Sequence, residues 1–191
     1  MKEKKRKVIL FVDATFITET PPLRSSWAPV GTQVRIPVTG QRAKRVLWAV
    51  FHIRTGTLLL HRSERWNQKV FQDLLRQVRR KWRGWAVVLF LDRGTPHTAR
   101  RSRALAKALG IDLRFLPRAA SHLNPVESLW RYAKGRLLAN APTQTVEASV
   151  DHVCRGFREL SPRDRLRLAG VLSERFWLRK VIMSHQLGPP T

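Results

Sequence analysis

The chain alternates short apolar runs with stretches in which apolar residues recur every three or four positions. Val8 to Phe16 is the first run and predicts a strand, with Asp13 near its end. Arg45 to Ile53 and Thr57 to His61 predict a hairpin turning at Arg54-Thr55-Gly56. Trp66, Val70, Phe71, Leu74, Leu75, Val78 and Trp82 fall on one face of a helix whose other face carries Arg, Lys and Gln. That spacing assigns Trp66 and Trp82 to the core rather than to base stacking. Trp85 to Asp92 is a strand apolar enough to be covered on both sides. Thr95 caps the next helix, with Pro96 at its first position and Gly110 past its end. Ile111 to Leu116 is the last strand, and a helix capped by Asn124 runs to about Ala139.

Between Thr20 and Arg42, adjacent prolines and Trp27-Ala28-Pro29-Val30-Gly31 show little periodicity and predict loop. Past a break at Pro142, Val146, Val150, Val153, Phe157 and Leu160 mark a helix, and Ser161-Pro162 starts a short one ending at Gly170. A final helix is predicted near Ser173 to Met183, carrying Phe176, Trp177, Val181 and Ile182. Strands joined through helices imply a partly parallel sheet covered on both faces, with an antiparallel hairpin attached. In such a sheet, function lies at the carboxyl ends of the strands, and Asp13 and Asp92 are both expected there.

Glu127 lies three residues past the Asn124 cap. It fits the reciprocal half of a capping box, and it also fits a third member of a carboxylate cluster with Asp13 and Asp92. Three carboxylates within about 5 Å would repel by several kcal/mol at an effective dielectric near 20, so a fold keeps them together when a divalent cation neutralises them. Oxygen ligands without Cys select Mg²⁺ or Mn²⁺ over zinc. Two such ions would clamp a phosphodiester between attacking and leaving oxygens.

Charge is what turns the picture toward nucleic acid. Among 191 residues, 37 Lys and Arg stand against 13 Asp and Glu, for a net charge of +24, the balance of a protein that binds phosphate backbones. Arg100, Arg103 and Lys107 are spaced as a basic stripe along one helix. Met1 to Lys7 is a basic arm, read as a solvated terminus that suits phosphate. The length predicts one domain, and the single Cys154 excludes an internal disulfide. No apolar run approaches the roughly 20 residues of a membrane span, and no signal peptide is visible, so no membrane partner is expected.

The residues then become recognisable. Asp92 and Glu127 are separated by 34 residues, and Asp13 lies in the first strand. With Trp27-Ala28-Pro29-Val30-Gly31, Leu91-Asp92-Arg93-Gly94-Thr95-Pro96-His97 and Leu123-Asn124-Pro125-Val126-Glu127-Ser128-Leu129-Trp130, the chain closely resembles the catalytic domain of mariner-superfamily DDE transposases. The bacterial insertion-sequence branch is the nearest match, over about residues 8 to 140. The resemblance implies an α/β fold, an RNase H-like mixed sheet flanked by helices with extra C-terminal helices. It implies a catalytic, metal-binding triad of Asp13, Asp92 and Glu127 with two Mg²⁺ or Mn²⁺ ions. His97, Trp130 and Lys134 match the pattern as well. His97 is expected as an accessory that orients a carboxylate or phosphate, Trp130 as packing and Lys134 as a phosphate contact.

Ala14, Arg93 and Ser121-His122 depart from the family's usual residues. Such transposases also carry helix-turn-helix domains ahead of the first aspartate, whereas seven residues precede the strand here. The expectation is therefore a catalytic half: the second frame of a split gene, a deliberately shortened piece, or a remnant. It divides into an arm at 1–7, a catalytic domain at 8–140 and a helical extension at 141–191. The expected activity is strand cleavage and strand transfer at transposon ends, by a homodimer on DNA in a bacterial cytoplasm, associated with the nucleoid. A non-catalytic DNA-binding remnant and a structure-specific nuclease of the same fold stand as alternatives.

Overall fold

The computed structural model describes residues 6–32, 35–38, 40, 42–141 and 145–179. Five strands, β1 (Lys7–Thr18), β2 (Lys44–His52), β3 (Leu58–Ser63), β4 (Ala86–Leu91) and β5 (Ile111–Phe115), form one sheet in the order β3-β2-β1-β4-β5. β2 runs antiparallel to β1 and β3, while β4 lies parallel to β1 and β5. This is the expected RNase H-like mixed sheet, with the hairpin attached to its parallel half. The helices of the described residues are α1 (Gln68–Lys81), α2 (Thr95–Thr98), α3 (Arg100–Ala108), α4 (Pro125–Tyr132), α5 (Val146–Glu159) and α6 (Pro162–Leu168).

Alternation along β1 divides the core into two layers, because successive strand side chains point to opposite faces. Leu10 and Val12 pack with Trp48 and Leu89 beneath Leu74, Leu75 and Val78 of α1 and Ala106 of α3. Phe11 and Ile17 face the other way, into a layer built with Val126 and Leu129 of α4 and Val150, Val153 and Phe157 of α5. Ion pairs from Arg45 to Glu147 and from Arg62 to Asp151 fasten α5 across β2 and β3. At the hairpin turn, Gly56 has φ +68°, and a Cβ there would meet the Pro162 carbonyl, so the turn demands glycine.

Several expectations need correcting. β1 runs past the predicted end at Phe16 to Thr18, leaving Asp13 in its middle, because β2 keeps pairing with it as far as Lys44. The parallel partner β4 stops at the Phe11–Phe90 pair, so Asp13 lies just past the end of the parallel ladder. The helix predicted from Thr95 to Gly110 is interrupted at Ala99, whose ψ of 134° is extended, and its N-cap is Gly94 rather than Thr95. Trp66 precedes the Asn67 cap of α1 and is 37% exposed, so it is not a core residue, whereas Trp82 at 7% is. The helix from Asn124 leaves α geometry at Tyr132 and passes into a π-helical turn over Ala133–Leu137. Ser173 to Leu178 form turns, with the Trp177 indole donating to the Leu123 carbonyl at 2.9 Å. The remainder of that predicted helix, with Val181 and Ile182, lies outside the described residues, as do most of the basic arm and the Pro142 break.

Candidate active site

Three elements deliver carboxylates to one pocket. β1 supplies Asp13, the chain just past β4 supplies Asp92, and the first turn of α4 supplies Glu127. The cavity, of about 290 Å³, is completed by Arg93, Gly94, Asn124 and the loop from Leu116 to Ser121. Ala119 in that loop has φ +56°, a left-handed backbone that costs a non-glycine residue about 1–2 kcal/mol.

Asn124 explains how α4 is held against β1. Its Oδ1 accepts from the Val126 amide at 3.1 Å as the predicted cap, while its buried Nδ2 donates to the Val12 carbonyl at 3.0 Å. One side chain thus starts the helix and ties it to the strand residue preceding Asp13. The capping-box reading of Glu127 fails on the same geometry. The Asn124 amide donates instead to the Ser121 carbonyl at 2.8 Å, and the Glu127 carboxylate is left facing the pocket.

The two aspartates are driven apart electrostatically. Burial pushes Asp13 from 3.8 up to about 7, with the charges of Glu127 and then Asp92 adding to the rise. Its own backbone contact at Ala14 and the Trp130 indole pull the other way. That indole N–H is buried and makes no hydrogen bond, so its effect on Asp13 is that of a nearby dipole. Asp92 is held below the usual carboxylate range, first by a hydrogen bond from His97 and also by the Gly94 amide. His97 Nδ1 lies 2.5 Å from Asp92 Oδ1 and Gly94 N lies 2.9 Å from it. An ionised carboxylate only accepts, so Nδ1 carries the proton. The ring is buried against Phe71 and Trp48 at centroid distances of 4.6 and 5.8 Å, and its Nε2 has no partner. The short α2 turn serves to place this histidine. His97 therefore orients a carboxylate, and α2 and α3 bend at Ala99 around it.

All three donor groups are hard oxygens, and Asp13 is raised first by burial and then by the charges of Glu127 and Asp92, a burden a cation would relieve, so the donor chemistry fits Mg²⁺ or Mn²⁺. Among the described residues, no three His, Cys, Asp or Glu side chains converge closely enough to hold an ion as they stand. The carboxylates share a pocket without closing into a cage.

A family model described as DDE superfamily endonuclease matches residues 8–149. The chain belongs to the DDE superfamily endonucleases. Solved structures of Mos1, a mariner transposase, share the fold. The Mos1 strand transfer complex superposes with a TM-score of 0.68 at 20% identity, covering 92% of this chain and 54% of that one. The Mos1 paired end complex with Mg gives 0.68 at 20%, covering 93% and 55%. The isolated Mos1 catalytic domain gives 0.62 at 17%, covering 92% and 81%. This DDE endonuclease thus spans about half the length of the first two. No curated protein matches it.

The predicted DNA-contacting residues of this DDE endonuclease do not form one surface. Arg100, Arg103 and Lys107 are exposed on α3, in the layer that carries α1, and Lys134 is exposed in the π turn after α4, in the opposite layer. Among the described residues none of the four pairs with a carboxylate. Sequence reasoning missed the Asn124 strap, and it placed Trp66 in the core although the residue stands exposed behind Gly94. Asn124 signals only a cap, and the helical spacing through Trp66 points to the core.

Proposed function

We propose that this chain is the catalytic part of a transposase in the bacterial insertion-sequence branch of the mariner superfamily, cutting DNA at transposon ends and joining the freed ends to target DNA. The observation that carries this reading is the convergence of Asp13, Asp92 and Glu127, from three separate elements, on one pocket at the carboxyl end of the parallel strands. These three carboxylates would hold the metal, in the two-ion arrangement. Mos1 paired end complexes with Mg and with Mn support that choice of ion. When bound, divalent ions activate water and neutralise charge at the scissile phosphate. Asp92, fixed by His97 and Gly94, supplies an oriented, ionised ligand. Asp13, raised to about 7 chiefly by burial, would be ionised when it holds a cation. Residues 8–140 would carry the chemistry, with α5 and α6 beyond them an extension of the same domain. End recognition would draw on a helix-turn-helix part, and pairing of two ends suits a homodimer on DNA. No helix among the described residues is long and apolar enough to cross a membrane. Acting on chromosomal DNA would place the protein in a bacterial cytoplasm, associated with the nucleoid.

A second reading, a DNA-binding remnant that keeps the fold without the chemistry, draws on the open arrangement of the carboxylates. Supercoiled-plasmid nicking by the parent and Glu127→Gln separates the two. The parent should nick only with Mg²⁺ or Mn²⁺, and the variant should fall by roughly 10²–10³, the scale of removing one transition-state interaction. Metal-independent nicking, or full activity in the variant, refutes the proposal. A strand-transfer assay with defined ends then distinguishes a transposase from a nuclease of the same fold.

A further inference from the structure

Trp66 is the large aromatic side chain beside the site that neither the core nor the carboxylates use. Most of the other tryptophans are committed. Trp48 packs on Phe71 and His97, Trp82 on His52, Trp130 on Phe157 and Trp177 on Phe11 and Phe90, while Trp85 carries Arg6. Trp66 stands outside α1, exposed, and among the described residues no ring or cationic group stacks on it.

Its position is tied to Asp92 through Gly94. A Cβ built on Gly94 would lie 3.0 Å from Cζ2 of Trp66 and 3.1 Å from Oδ1 of Asp92. The indole edge and the carboxylate therefore flank the same small gap, which a side chain at 94 would fill. Gly94 is part of the pocket wall, so Trp66 stands at its rim. Trp27 is also exposed but shows no such link to the carboxylates.

We propose that Trp66 is a stacking seat for an unpaired nucleobase adjoining the scissile phosphate. This rests on the reading of the chain as a DNA phosphoryl-transfer enzyme. Drawing the scissile strand out of the duplex would let its phosphate settle between the largely buried Asp13 and the half-exposed Asp92. The neighbouring base then leaves its stack at a free-energy cost, which stacking on an aromatic face offsets. An indole at the rim, with exposed Arg65 before it and Arg93 on the pocket wall, joins a π-face to cations that meet the backbone. Every base has a π-face, so the seat is indifferent to sequence.

The test compares binding of a blunt duplex with the same duplex bearing a single-stranded 3′ overhang that contains 2-aminopurine, at one ionic strength. The parent should prefer the overhang on the order of tenfold, within the range of one base–aromatic stack, and quench the 2-aminopurine. Trp66→Leu keeps an apolar side chain against Gly94 without a π-face. It should lose both the preference and the quenching while retaining blunt-duplex affinity, and Trp66→Phe should recover part of each. Equal preference in the parent and Trp66→Leu, or no preference in the parent, overturns the seat and leaves the phosphoryl-transfer reading standing. A parent that fails to nick plasmid with metal sinks that reading instead, and the seat with it.

Discussion

Asp13→Asn removes the one group in the site whose ionisation the fold resists. Asp13 titrates near 7 when folded against 3.8 when free, chiefly because it is buried and secondly because Glu127 and Asp92 are charged. With the folded pKa above the unfolded one, protonated Asp13 favours the folded state fully below about pH 3.8. That advantage drains away as pH rises, and it is gone above about 7, where the fold carries an ionised, buried cluster. At 1.36 kcal/mol per pH unit, the burden is roughly 2 kcal/mol at pH 5 and roughly 4 kcal/mol at pH 8. Asparagine does not titrate, so its own packing adds the same offset at both values. His52, pushed down to about 4 by burial, has Arg54 rather than Asp13 as its charged neighbour and cancels between the two proteins. Urea melts in EDTA should therefore show the variant gaining roughly 2–3 kcal/mol on the parent between pH 5 and pH 8. Millimolar Mg²⁺ at pH 8 should restore stability to the parent by mass action and do little for the variant. Parallel stability profiles for the two proteins would refute the reasoning, since Asp13 would then titrate as an ordinary aspartate.

Replacing Arg100, Arg103 and Lys107 together with Gln should flatten the slope of log K against log salt by up to about 2.7, at roughly 0.9 for each phosphate that is no longer neutralised. An unchanged slope in a duplex titration would make the stripe a solvated face of α3. His97→Phe keeps a ring between Phe71 and Trp48 but cannot donate to Asp92. It should weaken metal affinity about 10–100-fold, the usual effect of removing an outer partner of a ligand. The midpoint of the metal-induced rise in Tm reports this, and an unmoved midpoint would show that Asp92 needs no such support.

Much of this architecture was legible in the chain because apolar runs and helical spacing report which faces must be buried. The five strands fall where those runs lie, and the Asn124 cap stands where its flanking proline and periodicity put it. What the pattern does not encode is where an element begins relative to its apolar stripe. Trp66 shares the spacing of α1, yet Asn67 caps the helix behind it, so the same residue type reads as core and lies at the surface. Nor does periodicity reveal a competing tertiary contact. His97 turns inward to meet Asp92, and the helix around it breaks at Ala99 although the local sequence favours continuity. The carboxylate triad was accessible through motif spacing, but its electrostatics were not. The rise in Asp13 depends on burial and on charges 79 and 114 positions away in the chain.

The bond from Asn124 to the Val12 carbonyl spans 112 positions, and it has a consequence for the order in which the molecule matures. Both aspartates can come together once β1 and β4 pair across 79 positions, but Glu127 arrives only when α4, later in the chain, docks on β1. Contacts of such separation form late, since the entropy of closing the loop is lost before they contribute. During synthesis, a nascent chain that has released only its first hundred or so residues therefore holds two of the three carboxylates and no finished site. Competence to cut DNA is deferred until the domain is essentially complete.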